Sequence, residues 1–106
     1  MIVKRLNRPV TEAYPGLRRR VLARNPRLML VEHWHAAGAT FPWHEHPHDQ
    51  LAFIVSGRLQ IETPEGAVVA EAGDSFVIPG GTLHRVIALE ESLALDVFTP
   101  EREDYL

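Results

Sequence analysis

The chain has 106 residues, of which 45% are hydrophobic and 24% are charged. This length and this balance are typical of one compact globular domain and argue against intrinsic disorder. The formal net charge of -3 leaves no surplus of basic side chains to neutralise a phosphate backbone, which argues against nucleic-acid binding and favours a small-molecule partner.

The N-terminal residues and the absence of cysteine indicate where the protein is located and which metal ligands it can offer. Residues 1–9 contain no apolar segment like that of a secretory signal, and no stretch of about eighteen apolar residues occurs. We therefore expect a cytoplasmic protein without a membrane partner. Because the sequence contains no cysteine, any transition-metal site must use histidine and oxygen ligands.

The chain reads as a succession of short strands. Runs rich in Val, Ile, Leu and Phe alternate with turn residues, and no segment carries a sustained helical apolar stripe. The pattern predicts an all-β protein with strands over residues 17–24, 28–35, 51–55, 58–62, 67–71, 75–78, 84–89 and 93–98. Many short strands at near-even spacing favour a β-barrel or jelly roll. We expect a single domain over 1–106, with 1–16 as an N-terminal arm and 99–106 as a C-terminal extension.

The segment from Leu28 to Val31 is apolar at every position. Successive side chains of a strand point to opposite faces, so both faces of this strand must be covered. A homodimer is the expected cover, and the N-terminal arm of the same chain is the alternative. In the preceding strand, Arg18, Arg19 and Arg20 alternate between the faces and are not expected to form one anion site.

Three histidines fall within the heptapeptide that begins at His44. His44 and His46 are two positions apart, so in an extended chain their imidazoles point to the same side and can chelate one metal ion. Imidazole suits zinc, copper, iron and nickel, and the amide oxygen of Gln50 is a weaker, uncharged ligand. Pro47 interrupts the strand, which leaves His48 outside the ligand set. A histidine from elsewhere in the chain is needed to complete the set.

His33 and His35 also share one face of the predicted strand 28–35. Periodicity does not say whether this face is buried. They are therefore either secondary candidates for the same site or surface residues, with Trp34 supplying the packing.

The spacing of histidines, glycines and prolines between residues 38 and 84 resembles the two motifs of the cupin superfamily. The first motif corresponds to Gly38, His44, Glu45, His46, Gln50 and Gly57, and the second to Gly73, Pro79, Gly80, Gly81 and His84. The resemblance implies a barrel that binds one divalent metal ion on His44, His46, Gln50 and His84. The ion would be Ni, Zn, Mn, Fe or Co. The alternative is that these side chains only make hydrogen bonds in a polar barrel mouth.

Glutamine stands at Gln50 where the first cupin motif usually has glutamate. All four implied ligands are then neutral, so the ion keeps its full charge and is a stronger Lewis acid. Four protein ligands leave about two positions of an octahedral ion for water or a chelating substrate.

The ending from Ala94 to Leu106, together with the histidine heptapeptide, resembles the small cupins associated with pectin degradation. In that family, a 4,5-unsaturated uronate monosaccharide from pectin or alginate is converted to its open-chain keto form. The resemblance implies that Asp96, Phe98 and Arg102 contact this anionic sugar. The alternative for each residue is structural: Asp96 pairs with a surface cation, Phe98 fills the core and Arg102 is solvated.

Two other functions remain open at this level. Histidine-rich cupin sites that hold iron also serve metal-dependent dioxygenases, so an oxygenase is the rival enzyme. Because a fold alone does not establish activity, a non-catalytic sugar-binding or sensing module is the third reading.

Overall fold

The computed structural model describes residues 1–106 as ten β-strands and two short 3-10 turns, at Arg5–Asn7 and Glu103–Tyr105. The strands are β1 (Thr11–Tyr14), β2 (Leu17–Asn25), β3 (Leu28–His35), β4 (Thr40–His44), β5 (Asp49–Ser56), β6 (Arg58–Thr63), β7 (Gly66–Glu71), β8 (Ser75–Ile78), β9 (His84–Ala88) and β10 (Ser92–Thr99). None of the helical segments has the length and apolar character needed to span a bilayer.

The strands form two antiparallel sheets. One has six strands in the order β1-β2-β3-β10-β5-β8, and the other has four in the order β4-β9-β6-β7. The predicted all-β class is therefore confirmed. The sequence predicted a β-barrel or jelly roll, and the backbone ladders form two separate sheets.

All eight predicted strands are present, and their ends lie within two residues of the predicted bounds. The sequence prediction missed β1 and β4. Strand β4 contains Pro42 and does not alternate between buried and exposed residues, so it lacks the periodic signal of a strand. Its pairing with β9 defines it instead. Strand β1 lies within the predicted arm and forms a hairpin with β2.

A hydrophobic core joins the two sheets. Its eight buried residues come from both sheets and are Ile54, Leu59, Ile61, Ala70, Ile78, Val86, Ala88 and Ala94. A smaller cluster of Met29, Val31 and Phe98 lies beside it. Strands β3 and β10 alternate strictly, so every second side chain of each strand points between the sheets.

The outer face of the six-stranded sheet is only partly covered. Met29 and Val31 are fully buried, whereas Leu28 on the outer face is 46% exposed. The N-terminal arm lies over one corner, where Arg5 pairs with Glu32 at 2.9 Å and its carbonyl accepts a hydrogen bond from Arg20. The arm therefore covers part of this face and leaves the outer side chains of β5 exposed.

Candidate metal centre and its cavity

Three histidines from two separate stretches of chain converge at one end of the space between the sheets. His44 is the last residue of β4, His46 lies in the following loop, and His84 is the first residue of β9. Each offers a ligand nitrogen, and these atoms all lie within 4.8 Å of one another. His44 and His84 are direct partners across the β4–β9 ladder, which places their rings side by side with centroids 4.3 Å apart.

A backbone carbonyl fixes the orientation of each of the three rings. The Nδ1 atoms of His44, His46 and His84 lie 2.7, 3.0 and 2.7 Å from the carbonyl oxygens of residues 42, 48 and 82. A carbonyl oxygen can only accept, so these contacts favour a proton on each Nδ1. The lone pair of each Nε2 is then free to bind a metal ion, as in metal sites where an outer partner sets the tautomer.

The contact between His46 and Gln50 fits a cation between them. Oε1 of Gln50 lies 3.2 Å from Nε2 of His46, and the amide is oriented by its NH2 group, which donates to Asp96 at 2.9 Å. Both ring nitrogens of His46 therefore face acceptor oxygens. A neutral imidazole has only one N–H, so one nitrogen faces an oxygen with no proton between them. A metal ion held by His46 and Gln50 would remove this mismatch.

The loop after β8 holds the His46 loop in place. Gly81 donates its N–H to the carbonyl of His46 at 2.8 Å, and Gly80 donates to the Asp49 carboxylate at 2.8 Å. A Cβ atom at Gly80 would overlap the carbonyl group of Pro47, so only glycine permits this approach. The second glycine-containing motif of the sequence therefore positions a ligand of the first.

Burial favours the neutral form of two of these histidines, His84 and His46. It lowers the pKa of His84 to about 4, with smaller contributions from the neighbouring histidines and Arg102. Burial also lowers the pKa of His46, and the positive charge of Arg102 acts in the same direction. Since a metal ion binds the unprotonated imidazole, both residues are available as ligands at neutral pH.

A narrow cavity that opens to solvent extends from this group. The polar side chains that line it are His33, His35, His44, Gln50, His84, Asp96 and Arg102. Asp96 is 3% exposed, and its two carboxylate oxygens contact Nδ1 of His33 at 2.6 Å and the amide of Gln50 at 2.9 Å. Asp96 is therefore a buried residue of the site, and the reading as a surface ion pair is wrong.

Phe98 and Arg102 lie at the same cavity. Phe98 is 1% exposed, so it fills core and also forms part of the cavity wall. The guanidinium of Arg102 lies 5.1 Å from the centre of the Phe98 ring and 4.3 Å from that of Tyr105. Arg102 is only 9% exposed, which rules out the reading of a freely solvated cation.

Residues 31–98 match the family model of the cupin domain. The chain is a cupin. It is 31% identical over 100 residues to the pectin degradation protein KdgF of Dickeya dadantii (strain 3937), and the match covers 92% of this chain and 91% of that protein. The resemblance to the pectin-degradation cupins is thereby confirmed.

Two solved structures are similar to this cupin over nearly its whole length. KdgF from Halomonas sp. has a TM-score of 0.91 and 33% identity, with 100% of this chain and 98% of that chain covered. An RmlC-like cupin from Shewanella frigidimarina also has a TM-score of 0.91, with 30% identity and 99% and 95% of the chains covered.

The structure places every site residue predicted from the sequence of this cupin around one cavity or at its edge. The four-stranded sheet carries His44 and His84, and the loop after β4 carries His46. The six-stranded sheet carries Gln50, Asp96 and Phe98. His33 and His35 are each 4% exposed and line the cavity. Periodicity left open whether their face of the strand is buried, and the structure shows that it is. His48 is outside the histidine group, and its backbone carbonyl accepts from His46.

Sequence reasoning missed the aromatic residues Phe41, Phe76 and Tyr105 of the cavity wall. The ring of Phe41 packs edge-on against His33 and His35, with centroids 5.8 and 6.1 Å apart. Tyr105 contacts Phe98 and Arg102 from the C-terminal 3-10 turn. Phe41 lies three residues before His44 on a strand that had no periodic signal, whereas Tyr105 belongs to the C-terminal ending that carried the family resemblance.

Proposed function

We propose that this cupin binds one divalent metal ion on His44, His46, Gln50 and His84 and converts a 4,5-unsaturated uronate monosaccharide to its open-chain keto form. One observation carries the proposal. His44, Gln50, His84 and the carboxylate of Asp96 line a single cavity, and Gln50 contacts both His46 and Asp96. The similarity to KdgF, whose name refers to pectin degradation, supports a sugar acid from that source.

The donor set suits a borderline transition metal. Three imidazoles and one amide oxygen carry no charge, so a bound divalent ion would act as a Lewis acid that polarises substrate oxygens. Asp96 is the nearby carboxylate, and its hydrogen bond from Gln50 couples it to the ligand set. Nickel, zinc, manganese, iron and cobalt all fit this chemistry.

The chemical change consumes one water molecule, which supplies both the proton and the hydroxyl, and it needs no oxidant. A proton adds to the ring carbon at one end of the enol-ether double bond, and the hydroxyl of water adds to the carbon that carries the carboxylate. The resulting hemiketal opens by breaking the bond from that carbon to the ring oxygen, which leaves a ketone. Asp96 takes the proton from water and relays it to the ring, because it is the buried carboxylate that faces the cavity.

Arg102 and Phe98 position the sugar in this proposal. Arg102 has five N–H donors in a planar fork that suits a carboxylate, and its pairing with Asp104 uses two of them. Phe98 supplies an apolar surface for a ring face. An anionic sugar that enters the cavity therefore meets a cation and a ring beside the metal-ligating group.

The absorbance of the conjugated double bond tests the proposal. Metal-defined protein should remove the ultraviolet absorbance of unsaturated galacturonate equally well in air and under nitrogen. Saturated galacturonate is the control. Loss of absorbance only in the presence of oxygen would favour the dioxygenase, and ligand binding with no loss under any divalent metal would favour a sugar-binding module.

A further inference from the structure

His35 is a buried imidazole that takes part in none of the hydrogen bonds of the structure. It is 4% exposed, and its Nδ1 atom is fully enclosed without a partner. Burial lowers its pKa to about 4, so the ring is neutral at pH 7 and has one donor and one acceptor nitrogen. A buried polar group without a partner is unfavourable, and an apolar side chain of similar size would avoid this cost.

His33 provides a second unpaired nitrogen on the same strand face. Its Nδ1 contacts the Asp96 carboxylate at 2.6 Å, so Nδ1 donates to this oxygen and Nε2 is the nitrogen left for another partner. That Nε2 atom is also buried without a partner. The two imidazole centroids lie 6.2 Å apart, and both rings line the cavity.

These two histidines lie on the side of Asp96 that is away from the metal-ligating group. One carboxylate oxygen of Asp96 contacts Gln50, and the other contacts His33. The region holds the Asp96 carboxylate and two imidazoles with unpaired nitrogens, so it does not suit a substrate carboxylate. A hydroxyl group both donates and accepts, which complements a neutral imidazole.

We propose that His33 and His35 form a hydroxyl-binding subsite that holds the uncharged, diol-bearing part of the sugar and selects between uronates that differ in hydroxyl configuration. This inference rests on the proposed function. His33 also holds Asp96 and is therefore a poor residue for a clean test. His35 makes no such contact, so its substitution separates sugar recognition from proton transfer.

The test compares His35→Leu with His35→Gln in the metal-loaded protein. The substrates are the unsaturated uronates from pectin and from alginate, which differ at one hydroxyl-bearing carbon. His35→Leu should raise KM for the preferred uronate about 10-fold, a change of about 1.4 kcal/mol, and should reduce the preference between the two epimers. His35→Gln, which keeps a donor and an acceptor, should retain most of the preference.

Metal content and melting temperature are measured for both variants as controls. Both variants should bind one metal equivalent, and His35→Leu should melt no lower than the unsubstituted protein because it removes an unpaired buried group. An unchanged KM and epimer preference in His35→Leu would overturn the subsite while leaving the proposed function intact. Failure of the unsubstituted protein to turn over either uronate would overturn the proposed function and the subsite with it.

Discussion

Arg102 is held by a two-point ion pair with Asp104. Nε and Nη2 of the guanidinium lie 3.0 and 2.8 Å from the two carboxylate oxygens, and the guanidinium lies against the rings of Phe98 and Tyr105. Arg102 is nearly buried, whereas the Asp104 side chain is 59% exposed. An ion pair that is half open to water contributes little to stability, at most about 1 kcal/mol. Its geometry points to a role in orienting the arginine.

Replacing Asp104 should therefore affect substrate binding more than stability. We expect Asp104→Ala to raise KM for the unsaturated uronate about 3- to 10-fold and to leave the melting temperature nearly unchanged. Steady-state kinetics and calorimetry measure the two effects. Glu103→Ala is the matched control, since Glu103 is exposed and makes no side-chain ion pair. A KM unchanged in Asp104→Ala, or raised equally in both variants, would contradict the orienting role.

Asp96 should be essential for turnover and dispensable for metal binding. We expect Asp96→Asn to lower kcat by about 10²- to 10⁴-fold, because the amide cannot accept a proton in the reaction. It should still bind one metal equivalent, because backbone carbonyls hold the three histidines and the remaining side-chain oxygen of the asparagine can still accept from Gln50. Metal analysis and the absorbance assay are the measurements. A variant with full activity would remove Asp96 from the mechanism.

The sequence predicted which residues converge at this site better than the contacts that support them. The cupin motifs identified His44, His46, Gln50 and His84, because their spacing is a linear property of the chain. The hydrogen bond from Gln50 to Asp96 joins two residues that are 46 positions apart in the chain. It follows from the pairing of β5 with β10, which makes the two residues diagonal neighbours on one face. Such a contact has no signature in a single sequence.

The orientation of His33 and His35 was undecidable for the same reason. A two-residue period shows that both share a face, but the sheet register decides whether that face is inside. The apolar neighbours of this strand gave no help, because both of its faces are partly apolar. The pairing of β3 with β10 places His33 next to Asp96 and thereby inside the cavity.

Metal binding should stabilise the protein through the three histidines. A ligand at 100 times its dissociation constant adds about 2.7 kcal/mol to the free energy of unfolding when it binds only the folded state. We expect nickel or zinc to raise the melting temperature of the unsubstituted protein and to leave that of His84→Ala unchanged. His48→Ala is the control and should respond as the unsubstituted protein does, because His48 lies outside the ligand group. Equal stabilisation of His84→Ala would place the metal elsewhere.

The metal-free protein should lose stability as the pH falls from 6.5 to 4. Burial lowers the pKa of His35 and of His84 to about 4 in the folded state, against an ordinary value of 6.5. The unfolded chain then binds more protons than the folded protein within this window, so acid favours unfolding. For His35 the full effect is about 3 kcal/mol as an upper bound. Denaturant unfolding in the presence of a chelator measures it.

The variant His35→Leu provides the comparison for this pH dependence. It removes one of the buried histidines whose pKa is lowered, so its free energy of unfolding should fall less steeply between pH 6.5 and 4. Above pH 6.5 both histidines are neutral in either state, and the two proteins should show parallel behaviour. Identical slopes below pH 6.5 would show that His35 does not titrate on unfolding.

The outer face of the six-stranded sheet should form a homodimer interface. Leu51 and Phe53 on β5 are each 47% exposed, Val77 on β8 is 62% exposed, and they adjoin the outer residues of β10 in the ladder. A contiguous apolar face of this kind is typical of a subunit contact. We expect Phe53→Glu to halve the mass measured by light scattering, because the new charge would be buried without a partner. Val68→Glu is the matched control, since Val68 is 65% exposed on the other sheet. A monomeric unsubstituted protein, or a dimer disrupted only by Val68→Glu, would show that this face is not the contact.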